Sequence, residues 1–272
     1  NFLFPDKDDS NLKIYEIERQ CQQQDDILFP MEPFPVTKAV PAELAEARLL
    51  LMDTSTQRGY LGLVKGHDRI QECWLESARK HVSDLAPAIN KLLCETGWQP
   101  SQLDAIAVGI GPGSYTGLRI GIMSARTLAL VTGARLLGLG NFEIQAAGLP
   151  QDAPEQIEFI ADAQQDKLYR QTFCKSDQQF KPQNELEIVD LQDWIKSRDE
   201  KICLAGPGVQ KLKNFGLEPA NTMNHPLITG KAFAEVALAK LALGQTHNPH
   251  ELQPLYMRRS SAEEQWDRRT PS

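Results

Sequence analysis

The sequence predicts a duplicated α/β architecture, and three features carry that expectation. An apolar, β-prone run, Ala105 to Val108, leads into the glycine-rich stretch Gly109 to Gly121 and then into a helix. Three short apolar strands separated by turn residues stand ahead of it. Both halves of the chain then run strand, hairpin, helix and glycine turn, without repeating their residues. With 272 residues, 41% hydrophobic and 24% charged, the chain is long enough for one large or two small domains around a real core.

Taken in order, residues 1–47 differ from the rest: ten acidic against four basic residues carry six of the seven net negative charges. Pro30, Pro33, Pro35 and Pro41 interrupt any regular element there, so this acidic leader is expected to be disordered. Arg48 to Met52 then reads as a strand ending in Asp53-Thr54-Ser55-Thr56, and strands at Tyr60 to Val64 and Arg69 to Leu75 complete a meander. Val82, Leu85, Ala86, Ile89, Leu92 and Leu93 fall at helical spacing with Gly97 as the stop.

After the glycine-rich stretch, Ile120 to Val131 reads as helix, Leu136 to Leu139 as a strand, and Asn141 as the cap of a helix over Phe142 to Ala147. Ile157 to Ala161 and Lys167 to Cys174 form a hairpin, Leu191 to Ser197 a helix, and Lys201 to Ala205 a strand closing on Gly206-Pro207-Gly208. An alanine-rich helix, Lys231 to Leu243, has Thr229 as its cap and Gly244 as its stop, and precedes an extended piece at Pro254 to Arg258. Subdomains are thus expected at 48–148 and 149–228, with helix 229–244 returning to the first and 245–272 forming an extended tail.

Composition narrows the function classes. A net charge of −7 argues against the chain gripping a nucleic-acid backbone unaided, since that takes concentrated Lys and Arg. Cys21, Cys73, Cys94, Cys174 and Cys203 are scattered and odd in number, which points to reduced thiols rather than a disulfide framework or zinc knuckle. No run approaches the ~20 apolar residues that span a bilayer. The N-terminus shows no basic segment followed by an apolar one, so the cytoplasm is the expected location and no membrane contact is expected.

The glycine-rich stretch is the feature closest to chemistry. Free N–H groups in the first turn of the following helix, with Ser114 and Thr116 beside them, make a generic anion or carboxylate site. The spacing matches neither the Gly-Lys-Ser/Thr phosphate loop nor G-x-G-x-x-G, so contact with a phosphate or partner and a purely structural turn both stand as readings. Along the helix, Gly117, Gly121, Ala125 and Ala129 recur every four residues. Such a small-residue stripe admits a close neighbour, either a partner's helix or this chain's own sheet.

Leu50-Leu51-Met52-Asp53-Thr54-Ser55-Thr56, Arg79-Lys80-His81 opening a helix, and Asp104 to Gly109 running into Gly111-Pro112-Gly113-Ser114-Tyr115-Thr116-Gly117-Leu118-Arg119-Ile120-Gly121 together resemble the TsaB family. Asp162-Ala163 before a strand with Tyr169, Gly206-Pro207-Gly208, and Pro254-Leu255-Tyr256-Met257-Arg258 are similar to its later landmarks. The resemblance covers Arg48 to Arg259. It implies an actin-like ATPase (ribonuclease H-like) fold: two α/β subdomains with mixed sheets flanked by helices. It also implies a non-catalytic subunit that docks on TsaD during synthesis of threonylcarbamoyladenosine beside the tRNA anticodon, helps recruit the ATPase TsaE, pairs with itself when alone, and meets tRNA only through the complex. TsaD would carry out the transfer.

In that fold the aspartate closing the first strand helps hold metal and phosphate, and Asp53 occupies its place. Asp53, Thr54, Ser55, Gly111, Gly113 and Ser114 are therefore candidates for a vestigial nucleotide site, with an Asx turn at Asp53 as the structural alternative. The second phosphate turn expected at Asp162-Ala163-Gln164-Gln165 has no glycine, so no cofactor is expected beyond weak ATP and magnesium binding, more at the partner than here. TsaD-like enzymes carry two histidines at i and i+4; here His81 is followed at that spacing by Leu85, and no metal is expected. No nucleophile has a visible base, so no catalytic residue is assigned. Gly117, Arg119, Gly121, Ala125 and Arg126 are the partner-interface candidates. The alternative from another class is a free-standing ATP-dependent small-molecule kinase of the same fold, which needs the missing glycine-bearing turn.

Overall fold

The computed structural model describes residues 43–76, 81–177, 179–223 and 228–255. The expected leader up to residue 42, Arg79-Lys80, the His81 side chain and Tyr256 to Arg258 lie outside the described residues. The chain enters the fold before Arg48: Leu44–Glu46 makes a 3-10 turn, Ala47 is fully buried, and the Gly66 amide donates to the Ala47 carbonyl (2.8 Å).

The first sheet has the strand order β3-β2-β1-β4-β5, made of β1 (Arg48–Asp53), β2 (Gly59–Lys65), β3 (Asp68–Leu75), β4 (Ala105–Gly111) and β5 (Arg135–Gly140). β1 to β3 form the antiparallel meander, while β4 runs parallel to β1 and β5 parallel to β4. β1 is central and covered on both faces, which is why it reads as an unbroken apolar run. Its side chains alternate: Leu50 and Met52 enter one core with α1 (His81–Thr96) and α2 (Tyr115–Thr132). Leu49 and Leu51 enter a second core, shared with Phe233 and Leu238.

The second sheet runs β10-β6-β7-β8, from β6 (Gln156–Asp162), β7 (Lys167–Ser176), β8 (Gln179–Pro182) and β10 (Cys203–Ala205), with β9 (Glu187–Asp190) also pairing β7. β8 and β9 are absent from the sequence reading because both are four residues long and lie mostly on polar, half-exposed chain. One face buries Ile160, Leu168 and Leu204 under α4 (Leu191–Ser197) and α5 (Gly208–Asn214). The other receives Phe142 from α3 (Asn141–Ala147), whose ring lies 5.7 Å from that of Phe159, itself 5.4 Å from Phe173. α6 (Gly230–Ala242), capped by the Thr229 hydroxyl, packs on the first sheet's second face with Phe233 and Leu238. The result is the mixed α/β, two-sheet arrangement flanked by helices that the actin-like expectation describes. No described helix is long and apolar enough to cross a membrane.

The helix after the glycine-rich stretch begins at Tyr115, not Ile120, and so takes in Gly117. Glycine disfavours a helix interior by about 1 kcal/mol, so propensity reads that first turn as loop. Packing of the helix on β1 overrides that preference.

Candidate functional site

The end of β1 and the glycine-rich stretch close on each other. Asp53 is 1% exposed; its Oδ1 accepts from the Ser55 amide (3.1 Å) and its Oδ2 from the Ser55 hydroxyl (3.0 Å), which is the Asx turn. The Ser114 amide donates to the Ser55 carbonyl (2.7 Å), and the Thr54 hydroxyl donates to the Gly117 carbonyl (2.7 Å). Ser114 caps α2, its hydroxyl accepting from the Gly117 amide (3.3 Å). Gly113 lies against Ser55, whose Cβ is 2.5 Å from the place a Gly113 Cβ would take, so Asp53, Thr54, Ser55, Gly113 and Ser114 form one knot, which Gly111 joins through Asn141.

Asn141 ties that knot, and sequence reasoning missed it. α3 starts at Asn141 itself, with Gly140 at the cap position and no side-chain cap bond, so the expected capping role is corrected. The fully buried Asn141 amide instead donates to Asp53 Oδ1 (3.4 Å) and to the Ser55 hydroxyl, while its Oδ1 accepts from the Gly111 amide (2.9 Å). The amides of Gly111, Ser114 and Gly117, any of which could face an anion, are all bonded within the protein. An Asn after Leu-Gly in a short strand carries no signal by itself, since its partners lie 30 and 88 residues away.

The small-residue stripe turns inward, which corrects its assignment to a partner. A Cβ on Gly117 would lie 1.9 Å from the Thr54 carbonyl, and one on Gly121 would lie 2.4 Å from the Thr54 hydroxyl. Ala125 is fully buried in the core under the first sheet. Arg126 donates to the carbonyls of Pro249 and His250, fastening the chain that follows α6. Arg119 alone of the five interface candidates is exposed, with its guanidinium over the Tyr115 ring at 4.1 Å. On the same outward line stand Met123, 54% exposed, and Val131, 47% exposed.

At the second expected phosphate turn, Asp162 Oδ1 accepts from the Gln164 amide (2.7 Å) and pairs with Lys211 Nζ (2.5 Å). The Asp162 carboxylate is thus engaged by the chain's own amide and ammonium. Among the described residues, no cluster of three His, Cys, Asp or Glu side chains could hold a metal ion. Cys73, Cys94, Cys174 and Cys203 are free thiols; burial pushes Cys73 and Cys203 above the ordinary thiol value, so both stay protonated.

The chain is similar to known proteins along most of its length. The family model for TsaD, the tRNA N6-adenosine threonylcarbamoyltransferase, matches residues 75–185. The tRNA threonylcarbamoyladenosine biosynthesis protein TsaB of Bacillus subtilis is 27% identical, over 80% of this chain and 97% of its own length. TsaB of Escherichia coli is 24% identical, over 79% of this chain and 96% of its own length. Among solved structures, an uncharacterized protein from Pseudomonas aeruginosa with similarity to peptidase YeaZ superposes with a TM-score of 0.67 at 24% identity. That match covers 78% of this chain and all of the neighbour, and it supports the shared fold.

Proposed function

We propose that this chain, which is similar to TsaB proteins over about four fifths of its length, works as a non-catalytic partner subunit in threonylcarbamoyladenosine biosynthesis, docking on a TsaD-type subunit through the outer face of α2. The observation that carries this reading is the line Tyr115, Arg119, Met123, Thr127 and Val131, one residue per turn and all exposed, on a helix whose inner face is locked to β1. Methionine, tyrosine and arginine are the residue types enriched at the centres of protein interfaces. The match of residues 75–185 to the TsaD model supports a pairing of like folds, since that segment of this chain contains α1 and α2.

In this reading the chemistry belongs to TsaD, the paired subunits recruit TsaE, and tRNA is met only through the complex. Without its partner the chain pairs with itself through the same α2 face. It works in the cytoplasm. The internally bonded knot at Asp53 supports a subunit that supplies surface, not a nucleotide site; weak ATP and magnesium binding falls to the partner.

The test pairs binding with folding. Met123→Asp and Val131→Asp place a charge in the apolar line without touching the core. Each is expected to weaken capture of TsaD at least about tenfold while the thermal midpoint of the chain alone is kept. Nucleoside analysis of tRNA from cells carrying each variant should show a matching loss of threonylcarbamoyladenosine. Unchanged capture by both variants would overturn the α2 face as the docking surface.

A further inference from the structure

A cleft of about 530 Å³ opens between the two sheets, touching the Asp53 knot only through Gly111. Its apolar wall includes Phe142, Phe173, Pro182 and Leu186. At the other end Lys240 Nζ of α6 donates to Glu143 Oε2 of α3 at 2.7 Å, and both side chains stay partly exposed, at 24% and 39%. That bond uses one of three ammonium hydrogens and one lone pair of the carboxylate; neither group has another partner among the described residues.

His247 lines the same cleft with a fixed tautomer. The Gly138 amide donates to its Nδ1 (3.1 Å), so the hydrogen of the neutral ring sits on Nε2, which has no partner among the described residues. Partial burial and the Lys240 ammonium hold the imidazole below its ordinary value, which keeps it in that form near neutrality. The ring is positioned by its own backbone, whose amide donates to the Leu136 carbonyl (2.8 Å).

We propose that this cleft binds a free α-amino acid with an apolar side chain. Its carboxylate accepts from Lys240 and from the Nε2–H of His247, its ammonium donates to Glu143, and its side chain lies against Phe142 and Phe173. The argument is one of charge. A simple anion would face the Glu143 carboxylate, a simple cation the Lys240 ammonium, and a nucleotide would bring several negative charges and no positive one. A zwitterion alone offers both signs about 3 Å apart, as the pair itself does. A volume of this size suits a small molecule, and the mixture of apolar wall and a few convergent polar groups is that of a ligand site.

The inference does not rest on the partner-subunit reading, because it is tested on the chain alone. Calorimetry of the full chain with L-phenylalanine and L-leucine is expected to show saturable binding. Phenethylamine, which lacks the carboxylate, and 3-phenylpropionate, which lacks the ammonium, should bind at least about tenfold more weakly. The double variant Glu143→Lys with Lys240→Glu keeps an ion pair between α3 and α6 but exchanges the charges relative to His247. It should hold its melting temperature and lose amino-acid binding by at least about tenfold. Equal binding of either truncated analogue, retained binding by the exchanged pair, absence of any heat with the amino acids, or ATP competing for the cleft would overturn the proposal.

Discussion

Asn141 is a single residue on which several buried groups depend. Removing its amide leaves the Gly111 N–H without an acceptor and takes a donor from Asp53. A buried polar group left unpaired costs about 1–3 kcal/mol, so Asn141→Ala should lower unfolding free energy by about 2 kcal/mol or more in a denaturant titration. A change below about 0.5 kcal/mol would mean that the knot relaxes without it. Gly121 gives a second residue-scale test: with the Thr54 hydroxyl 2.4 Å from its Cβ position, Gly121→Leu has no space inside the subunit. Thermal unfolding of the isolated chain should fail outright or drop by many degrees, whatever partner is present. Intact folding with lost partner binding would instead return the stripe to the interface.

At the scale of elements, the β6–β7 hairpin turns through Gln164, Gln165 and Asp166, with φ values of 62°, 47° and 56°. The Lys167 amide donates to the Gln164 carbonyl (3.0 Å), so Gln165 and Asp166 are the central pair of a type I′ turn, a place where glycine is favoured. Asp166→Gly is expected to raise the unfolding free energy by about 0.5–1 kcal/mol, because the left-handed residue no longer carries a Cβ. A loss of stability would show that the Asp166 side chain contributes more than its backbone conformation costs. α2 makes the contrasting case, since its inner face is decided by one strand end, through Thr54, while its outer face is left to solvent or a partner.

Across the whole molecule, the segment after α6 straps the first sheet's edge to its helices. His247 bridges Leu136, Arg126 holds the turn at Pro249 and His250, Leu252 enters the core, and the Leu255 amide reaches the Ile110 carbonyl (2.9 Å). The strap needs an imidazole that accepts at Nδ1 and is therefore neutral there. His247 titrates below its ordinary 6.5 in the fold, lowered by burial first and by Lys240 second, with Glu143 paired beside that lysine. As pH falls through 6.5 the unfolded chain takes up this proton before the folded one does, so the stability that His247 contributes is present above that value and is lost on acidification. His247→Asn, which keeps an acceptor for the Gly138 amide but does not titrate, should show a smaller fall in stability between about pH 7.5 and 5.5 than the unaltered chain. Equal falls would place the pH dependence in other groups.

Much of this organisation was legible in residue pattern. The meander of β1 to β3, the helix stopped at Gly97, the β4 strand and the Thr229 cap follow from periodicity and turn chemistry, which act over a few residues. Asp53 as an Asx turn was legible for the same reason, because its partner Ser55 is two residues away. What the pattern left open were choices between faces and partners. The inward stripe of α2, the displacement of Asn141 from its cap to the Asp53 knot, and the meeting of Glu143, Lys240 and His247 in one cleft join residues 63 to 109 positions apart. Contacts at that range depend on how sheets and helices stack, and no local propensity encodes them.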